Sequence, residues 1–175
     1  MPAQSKRPTE QIAIFRAAET PGLLETETMR VEGVTAQVGE GLAQVAEAGW
    51  NEGSIVKLLF SAPGFSLTYA WFKSGFPLPR HSHNADCLYY VIGGSLTLGT
   101  QALGKGDGFF VPCDAAYTYV PGPEGVEVLE FRSVDQFNFR FLVGNPAFWS
   151  KAAATVSQEL SGWRGQRPPS EIAAG

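Results

Sequence analysis

The sequence contains few cysteines and few histidines, and both scarcities narrow its possible functions. Two cysteines among 175 residues are too few for a disulfide scaffold, so free thiols in a reducing compartment are expected. Histidine, the commonest metal ligand, also occurs only twice. Any metal site built on histidine is therefore confined to one pair of residues.

Positive charge and long apolar runs are scarce as well. The 13 Lys and Arg residues are scattered, and a net charge of −4 argues against a nucleic-acid partner. The N-terminus has no apolar leader, and no run of about 18 apolar residues occurs anywhere. These absences predict a cytoplasmic protein that is neither secreted nor membrane-spanning.

The apolar residues follow a β pattern. They make up 44% of the chain, which is enough for one domain with a sizeable core. From Ser54 onwards, short segments rich in β-branched and aromatic residues are separated by Gly and Pro, which is typical of an all-β sandwich or barrel. Gly93-Gly94 and residues 121–125 are predicted turns. The nine predicted strands are 54–61, 65–73, 78–83, 88–92, 95–100, 108–111, 117–120, 126–132 and 137–142.

Both ends of the chain depart from this pattern. Asn145 and Pro146 are typical of a helix start, and apolar residues then recur at helical spacing. The predicted organisation is an N-terminal extension at 1–53, the barrel at 54–143, a C-terminal helix at 144–165 and a mobile tail at 166–175. Within the extension, the sequence predicts a short helix at 9–19 and edge strands at 24–36 and 45–50.

The two histidines, His81 and His83, lie two residues apart in a predicted strand. Since residues i and i+2 of a strand point to the same face, their imidazoles are expected side by side, as in a metal-ligand pair. Two neutral imidazoles rarely hold a divalent ion alone, so a third protein donor is required. The alternative is a hydrogen-bonded pair without a metal.

The segment around this pair resembles the first conserved motif of the cupin superfamily, G-x5-H-x-H-x3-E-x6-G. Gly75, His81, His83 and Gly94 occupy their motif positions. Cys87 stands where the superfamily usually has glutamate. The resemblance therefore covers the histidine pair and replaces the acidic ligand with a thiol.

The following segment approximates the second cupin motif, G-x5-P-x-G-x2-H-x3-N. Gly106 and Pro112 match, whereas Asp114, Tyr117 and Pro121 replace the usual glycine, histidine and asparagine. The position of Tyr117 implies that its phenol points into the same cavity as the histidines. There it is the candidate catalytic acid or hydrogen-bond donor.

The resemblance implies an all-β cupin fold, a jelly-roll-like antiparallel β-barrel with short N-terminal and C-terminal helices. It also implies a divalent transition metal (Fe, Cu, Zn, Ni or Mn) bound by His81, His83 and Cys87. Tyr117 and Asp86 are the other candidates for the third donor. A core cysteine that only packs is the alternative for Cys87.

The leading functional hypothesis is a metal-dependent cupin enzyme acting on a small organic molecule, with dioxygenase (oxidoreductase) chemistry favoured over isomerase or lyase chemistry. The alternative is a metal-free binding or sensor cupin that has lost the usual metal site. A homodimer is expected, because barrel edges need cover. Glu127 and Glu130 fall on opposite faces of one strand, so at most one of them enters the cavity. The predicted substrate-lining residues are Tyr89, Tyr119 and Phe110.

Overall fold

The computed structural model describes residues 12–172 and contains nine strands and three α-helices in that range. Short 3₁₀ turns lie at 17–19, 23–25 and 50–52. The predicted all-β class with short flanking helices is confirmed. The strands are β1 (Met29–Glu32), β2 (Ser54–Ala62), β3 (Phe65–Phe72), β4 (His81–Ser82), β5 (Cys87–Leu98), β6 (Gln101–Gly104), β7 (Gly108–Val111), β8 (Val120–Arg132) and β9 (Phe137–Phe141). The helices are α1 (Ala36–Ala48), α2 (Pro146–Gly165) and α3 (Pro169–Ile172).

The strands form two sheets. The larger has the order β2-β3-β8-β5-β6, with β7 also paired to β5, and all its pairings are antiparallel. The smaller has the order β1-β9-β4, in which β1 runs parallel to β9. Because side chains alternate between the two faces of each strand, every second residue of β5 and β8 points into the core.

One predicted turn is wrong, because Gly93 and Gly94 lie inside the continuous strand β5. The pairing of β5 with β8 shifts register on either side of this pair, so the glycines form a bulge instead of a reversal. Gly94 has a φ of 69°, and a Cβ atom there would lie 2.1 Å from the carbonyl oxygen of Gly125. The predicted turn at 121–125 is likewise part of a strand, β8.

The predicted edge strand at 45–50 is also wrong. Helix α1 occupies this region, with the Thr35 side chain capping its N-terminus and Gly49 ending it in the left-handed conformation at φ 105°. In the predicted strand at 24–36, only β1 forms. Of the predicted helix at 9–19, the described part contains a single 3₁₀ turn, and residues 9–11 lie outside the described range.

The predicted C-terminal helix is present as α2. Asn145 accepts a hydrogen bond from the Ala147 N–H at 2.9 Å, and Pro146 opens the helix. The buried side chains of α2 pack against α1 and against the barrel, where Trp163 joins the main core. No helix among residues 12–172 is both long and apolar enough to cross a bilayer.

Part of the segment predicted to be a mobile tail is ordered in α3, against the outer face of β5 and β8. The backbone N–H and the hydroxyl of Ser170 donate hydrogen bonds to the buried carboxylate of Glu127, at 2.6 and 2.9 Å. The Tyr69 hydroxyl donates a third, at 2.7 Å. These bonds fix the C-terminal segment to the barrel, and residues 173–175 lie outside the described range.

Two glycines of α1 provide a matched stability test of the helix packing. A Cβ at Gly41 would lie 2.2 Å from the Trp149 ring, whereas a Cβ at Gly39 would meet nothing within 4 Å. We expect Gly39→Ala to stabilise the protein by up to about 1 kcal/mol through helix propensity. Gly41→Ala should destabilise it by about 1–3 kcal/mol through overpacking. Urea denaturation checks both, and equal effects from the two changes would contradict this packing.

Candidate ligand-binding site

A cavity of about 210 Å³ lies between the two sheets. Strands of both sheets line it, and most of its wall is aliphatic or aromatic. His81, His83, Tyr117, Glu130 and Arg132 lie close together and form its polar end, and the mainly apolar remainder gives the cavity an amphipathic character. The apolar lining residues are Leu23, Leu24, Met29, Val31, Trp50, Val56, Phe72, Phe76, Leu78, Pro79, Phe139 and Phe141, and the polar ones are Ser54, His81, His83, Tyr117, Tyr119, Glu130 and Arg132.

The backbone places His81 and Tyr117 side by side. The two residues exchange N–H to carbonyl hydrogen bonds, each 3.0 Å long, and His81 also pairs with Phe141 of β9. As a result, the ring centroids of His81 and Tyr117 are 4.4 Å apart, and those of His81 and His83 are 5.1 Å apart. The sequence prediction that His81, His83 and Tyr117 share one cavity is therefore confirmed.

Each buried imidazole is anchored through one ring nitrogen. Nδ1 of His81 lies 2.7 Å from the carbonyl oxygen of Pro79, and Nδ1 of His83 contacts the carbonyl oxygen of Asn138. A carbonyl oxygen can only accept, so the proton of each neutral ring is on Nδ1. Nε2 is consequently the acceptor nitrogen of both rings.

Burial keeps both histidines neutral. Loss of hydration lowers the pKa of His81 to about 4 and that of His83 to about 2. The positive charge of Arg132 acts in the same direction on both rings. At neutral pH the pair therefore presents two uncharged imidazoles.

The sequence analysis missed Arg132, which forms an ion pair with Glu130 at this end. A guanidinium nitrogen of Arg132 donates to Glu130 at 2.8 Å, and another donates to Thr68 at 3.2 Å. The guanidinium carbon also lies 3.9 Å from the centroid of the Phe137 ring. The sequence contained a signal for this ion pair. Glu130 and Arg132 are two residues apart in a strand, so both charges lie on the inner face of β8, whereas Glu127 lies on the other face.

Tyr117 and Tyr89 form a coupled pair of phenols. Their hydroxyls are hydrogen-bonded to each other, and Tyr89 stacks on Phe109 with ring centroids 4.5 Å apart. Burial raises the pKa of Tyr117 above its usual range, so its hydroxyl is protonated at neutral pH. Tyr119 lines the cavity as predicted, whereas Tyr89 lies behind Tyr117 and supports it.

Two predicted site residues face away from the cavity. Phe110 pairs with Leu88 on the outer face of the sheet and is 58% exposed, so its assignment as a substrate-lining residue is wrong. Its neighbours in β7 have the opposite orientation, because side chains alternate along a strand. Asp86, an alternative donor, is exposed and accepts a hydrogen bond from the Cys113 N–H at 2.8 Å.

The chemistry of the donor set tests whether this end fits the divalent ion that the motif implies. An Nδ1–H donated to a carbonyl is typical of metal-bound histidine. The third donor is not assembled, because residues 12–172 contain no cluster of three or more His, Cys, Asp or Glu side chains able to hold an ion. Cys87 is fully buried in the core, and burial raises its thiol pKa to about 12. The His, Cys, Asp and Glu side chains of the described residues therefore form no three-donor metal site, and Tyr117, the remaining candidate, is protonated and hydrogen-bonded to Tyr89.

Solved structures with the same architecture identify the fold. The polyketide cyclase RemF from Streptomyces resistomycificus matches with a TM-score of 0.54 and 17% identity, over 83% of this chain and 99% of that one. A protein of unknown function with a cupin-like fold from Ralstonia eutropha matches with a TM-score of 0.50 and 17% identity, over 87% and 90% of the two chains. No protein-family model and no curated protein matches the sequence.

The fold of the chain is now defined, because these neighbours and the two facing sheets show that it is the cupin fold. At this level of identity the likeness extends to the fold alone. The chemistry of the site has to be argued from its own residues.

The neutral histidines predict a specific pH dependence of stability. In the unfolded chain each imidazole binds a proton near pH 6.5, whereas the folded protein binds none until about pH 4 at His81 and about pH 2 at His83. The unfolded state therefore holds more protons between these values, and stability falls as the pH falls from 6.5 to 4. Each histidine contributes up to about 1.4 kcal/mol per pH unit to this slope.

Urea denaturation between pH 7 and pH 4.5 measures that slope. His81→Asn keeps an N–H donor near the Pro79 carbonyl and removes the titrating ring. It should therefore reduce the pH dependence of the free energy of unfolding by the contribution of about one bound proton. NMR of the imidazole nitrogens supplies the independent measurement. Histidine resonances that titrate with midpoints near pH 6.5 in the folded protein would contradict the prediction.

Proposed function

We propose that this chain is a cupin-fold protein that binds a small organic molecule in its cavity without requiring a resident metal ion. The observation that carries the proposal is the amphipathic cavity itself, with its mainly apolar wall and its polar end around His81, His83 and Glu130. Ligand pockets in proteins combine these two features, because apolar contact gives affinity and a few polar groups give orientation. The function proposed is thus recognition of a largely apolar molecule with one polar side.

The cavity volume sets the size of the part of this molecule that lies inside it. A dry apolar cavity of about 150 Å³ accommodates benzene. The 210 Å³ here accommodates one ring with small substituents. Burying about 200 Å² of apolar ligand surface contributes about 5 kcal/mol, before the cost of association. Affinities for simple one-ring compounds are therefore expected in the millimolar to high micromolar range.

A second candidate function is acid–base catalysis on the bound molecule. Glu130 and Tyr117 favour it, because a carboxylate and a phenol line the same end of the cavity. The histidines are poorly matched to the role of general base at neutral pH, since their pKa values are about 4 and about 2. In this function Glu130 would accept the proton, and the Tyr117 hydroxyl would orient the reacting oxygen.

The metal-dependent enzyme that the motif implies remains a prediction, with dioxygenase chemistry as its favoured form. His81 and His83 support it through their free Nε2 atoms, and the missing third donor argues against it. Elemental analysis of untagged protein distinguishes the two hypotheses. Near-stoichiometric Fe, Cu, Zn, Ni or Mn that is lost in His81→Asn would support the metal hypothesis and contradict the metal-free proposal.

Two neighbouring residues of β2 give a matched test of the cavity. Val56 lines it, whereas Ile55 is 43% exposed on the opposite face. Val56→Phe should fill part of the cavity and weaken binding of one-ring compounds, because the larger side chain occupies volume that the ligand needs. Ile55→Phe should leave binding unchanged. Ligand-observed NMR with a one-ring panel at millimolar concentration measures both.

Circular dichroism of both variants checks that they are folded. Wild-type protein that binds no member of the panel, or a folded Val56→Phe that binds as wild type does, would contradict the cavity as the binding site.

A further inference from the structure

Whether the groups at the polar end donate or accept hydrogen bonds identifies the class of ligand, given the binding function proposed above. The Nδ1–H groups of His81 and His83 are committed to the carbonyls of Pro79 and Asn138. Both Nε2 atoms therefore carry a lone pair, and neither has a hydrogen-bond partner among residues 12–172. A ligand that meets these atoms must donate a hydrogen to each.

Glu130 adds a third acceptor at the same end. One of its carboxylate oxygens accepts from Arg132, and the other has no partner in the described part of the chain. A carboxylate has no hydrogen to donate. The Tyr117 hydroxyl is shared with Tyr89, and hydroxyls adapt to either role. The groups that face the ligand and whose hydrogen-bonding role is fixed are thus all acceptors: the two Nε2 atoms and the Glu130 carboxylate.

Charge at this end favours a neutral ligand. The two imidazoles are uncharged, and Glu130 and Arg132 neutralise each other at 2.8 Å. The guanidinium lines the cavity, but its two terminal nitrogens already donate to Glu130 and Thr68, so it is not free to bind a carboxylate. An ammonium group would lose its hydration there without gaining an unpaired negative charge, because the Glu130 carboxylate is already paired with Arg132.

The wall selects a flat ring. Phe139 stacks on His81 with centroids 4.2 Å apart and an interplanar angle of 14°, and Trp50, Phe72 and Phe76 line the remainder. Aromatic ligands pack well against such rings in stacked or edge-on geometry. The imidazole centroids are 5.1 Å apart, a separation comparable with that of two substituents on one ring.

We propose that the cavity binds a neutral hydroxylated aromatic compound, of the phenol class, whose hydroxyl groups donate hydrogen bonds to Nε2 of His81 and Nε2 of His83. The apolar wall holds the ring, and the acceptor pair sets its orientation. Isosteres without hydroxyl hydrogens leave both acceptors desolvated and unpaired, which costs affinity.

Four one-ring probes of similar size test the proposal on the full-length protein at pH 7. Benzene-1,3-diol has two hydroxyl donors, and 1,3-difluorobenzene has the same shape without them. Benzoate and benzylammonium carry the two opposite charges. Isothermal titration calorimetry or NMR titration should show the diol binding about tenfold or more tightly than each of the other three, since two hydrogen bonds are at stake.

The variant His81→Asn removes one Nε2 acceptor and keeps a side-chain N–H for the Pro79 carbonyl. We expect it to reduce the preference for the diol over difluorobenzene about fivefold, a ratio that compares the two probes in the same altered cavity. Phe110→Ala, on the outer face, should change neither affinity. Circular dichroism establishes that each variant is folded. The comparison of the four probes on wild-type protein does not depend on either variant.

The outcomes separate this inference from the function it rests on. Difluorobenzene or benzoate binding as tightly as the diol would overturn the acceptor argument while leaving the cavity as a binding site. Tighter binding of benzylammonium would overturn it in favour of a cation site. Failure of all four probes to bind would overturn the proposed function as well.

Discussion

The two-way backbone bridge between His81 and Tyr117 is the interaction on which the polar end of the cavity depends. Strand β4 has only two residues, so by itself it could not hold the imidazoles in place. Its pairing with β9 on one side and with Tyr117 on the other fixes its backbone in both directions. The side-chain positions of both histidines then follow from strand alternation, and the anchored Nδ1 atoms fix which nitrogen faces the cavity.

The buried ion pair of Glu130 and Arg132 has a high energetic cost, which makes its position informative. Moving two charges out of water costs several kcal/mol per ion, and mutual attraction offsets this only when the remaining polar atoms are satisfied. Nε of Arg132 is buried without a partner, so the offset is incomplete. An apolar pair would pack here at lower cost, but it would leave the cavity with no carboxylate. The ion pair therefore serves the polarity of the cavity more than the stability of the fold.

The sequence allowed the histidine pair, the β class and α2 to be predicted, because each depends on local spacing. Helix α1 was missed, since its apolar residues are interrupted by Gly39 and Gly41, and the latter is a glycine because Trp149 occupies the space of a side chain. Phe110 was misplaced because strand alternation gives two faces, and only tertiary pairing with Leu88 shows which one is inward. Arg132 was missed although Glu130 is two residues away, because the spacing shows only that the two charges share a face and not that this face lines the cavity.

The cavity holds both motif histidines, but its other groups differ from the ligands that the motif resemblance implies. Cys87 and Tyr117 occupy the positions of the usual acidic and imidazole ligands, yet the thiol is sealed in the core and the phenol is bonded to Tyr89. The carboxylate that does line the cavity, Glu130, comes from β8 and is paired with a cation. Neither replacement supplies an ionised donor beside the two imidazoles, because burial keeps the thiol and the phenol protonated. Their Nε2 lone pairs are then best matched by hydrogens carried on a ligand, and recognition rests on hydrogen bonds instead of coordination.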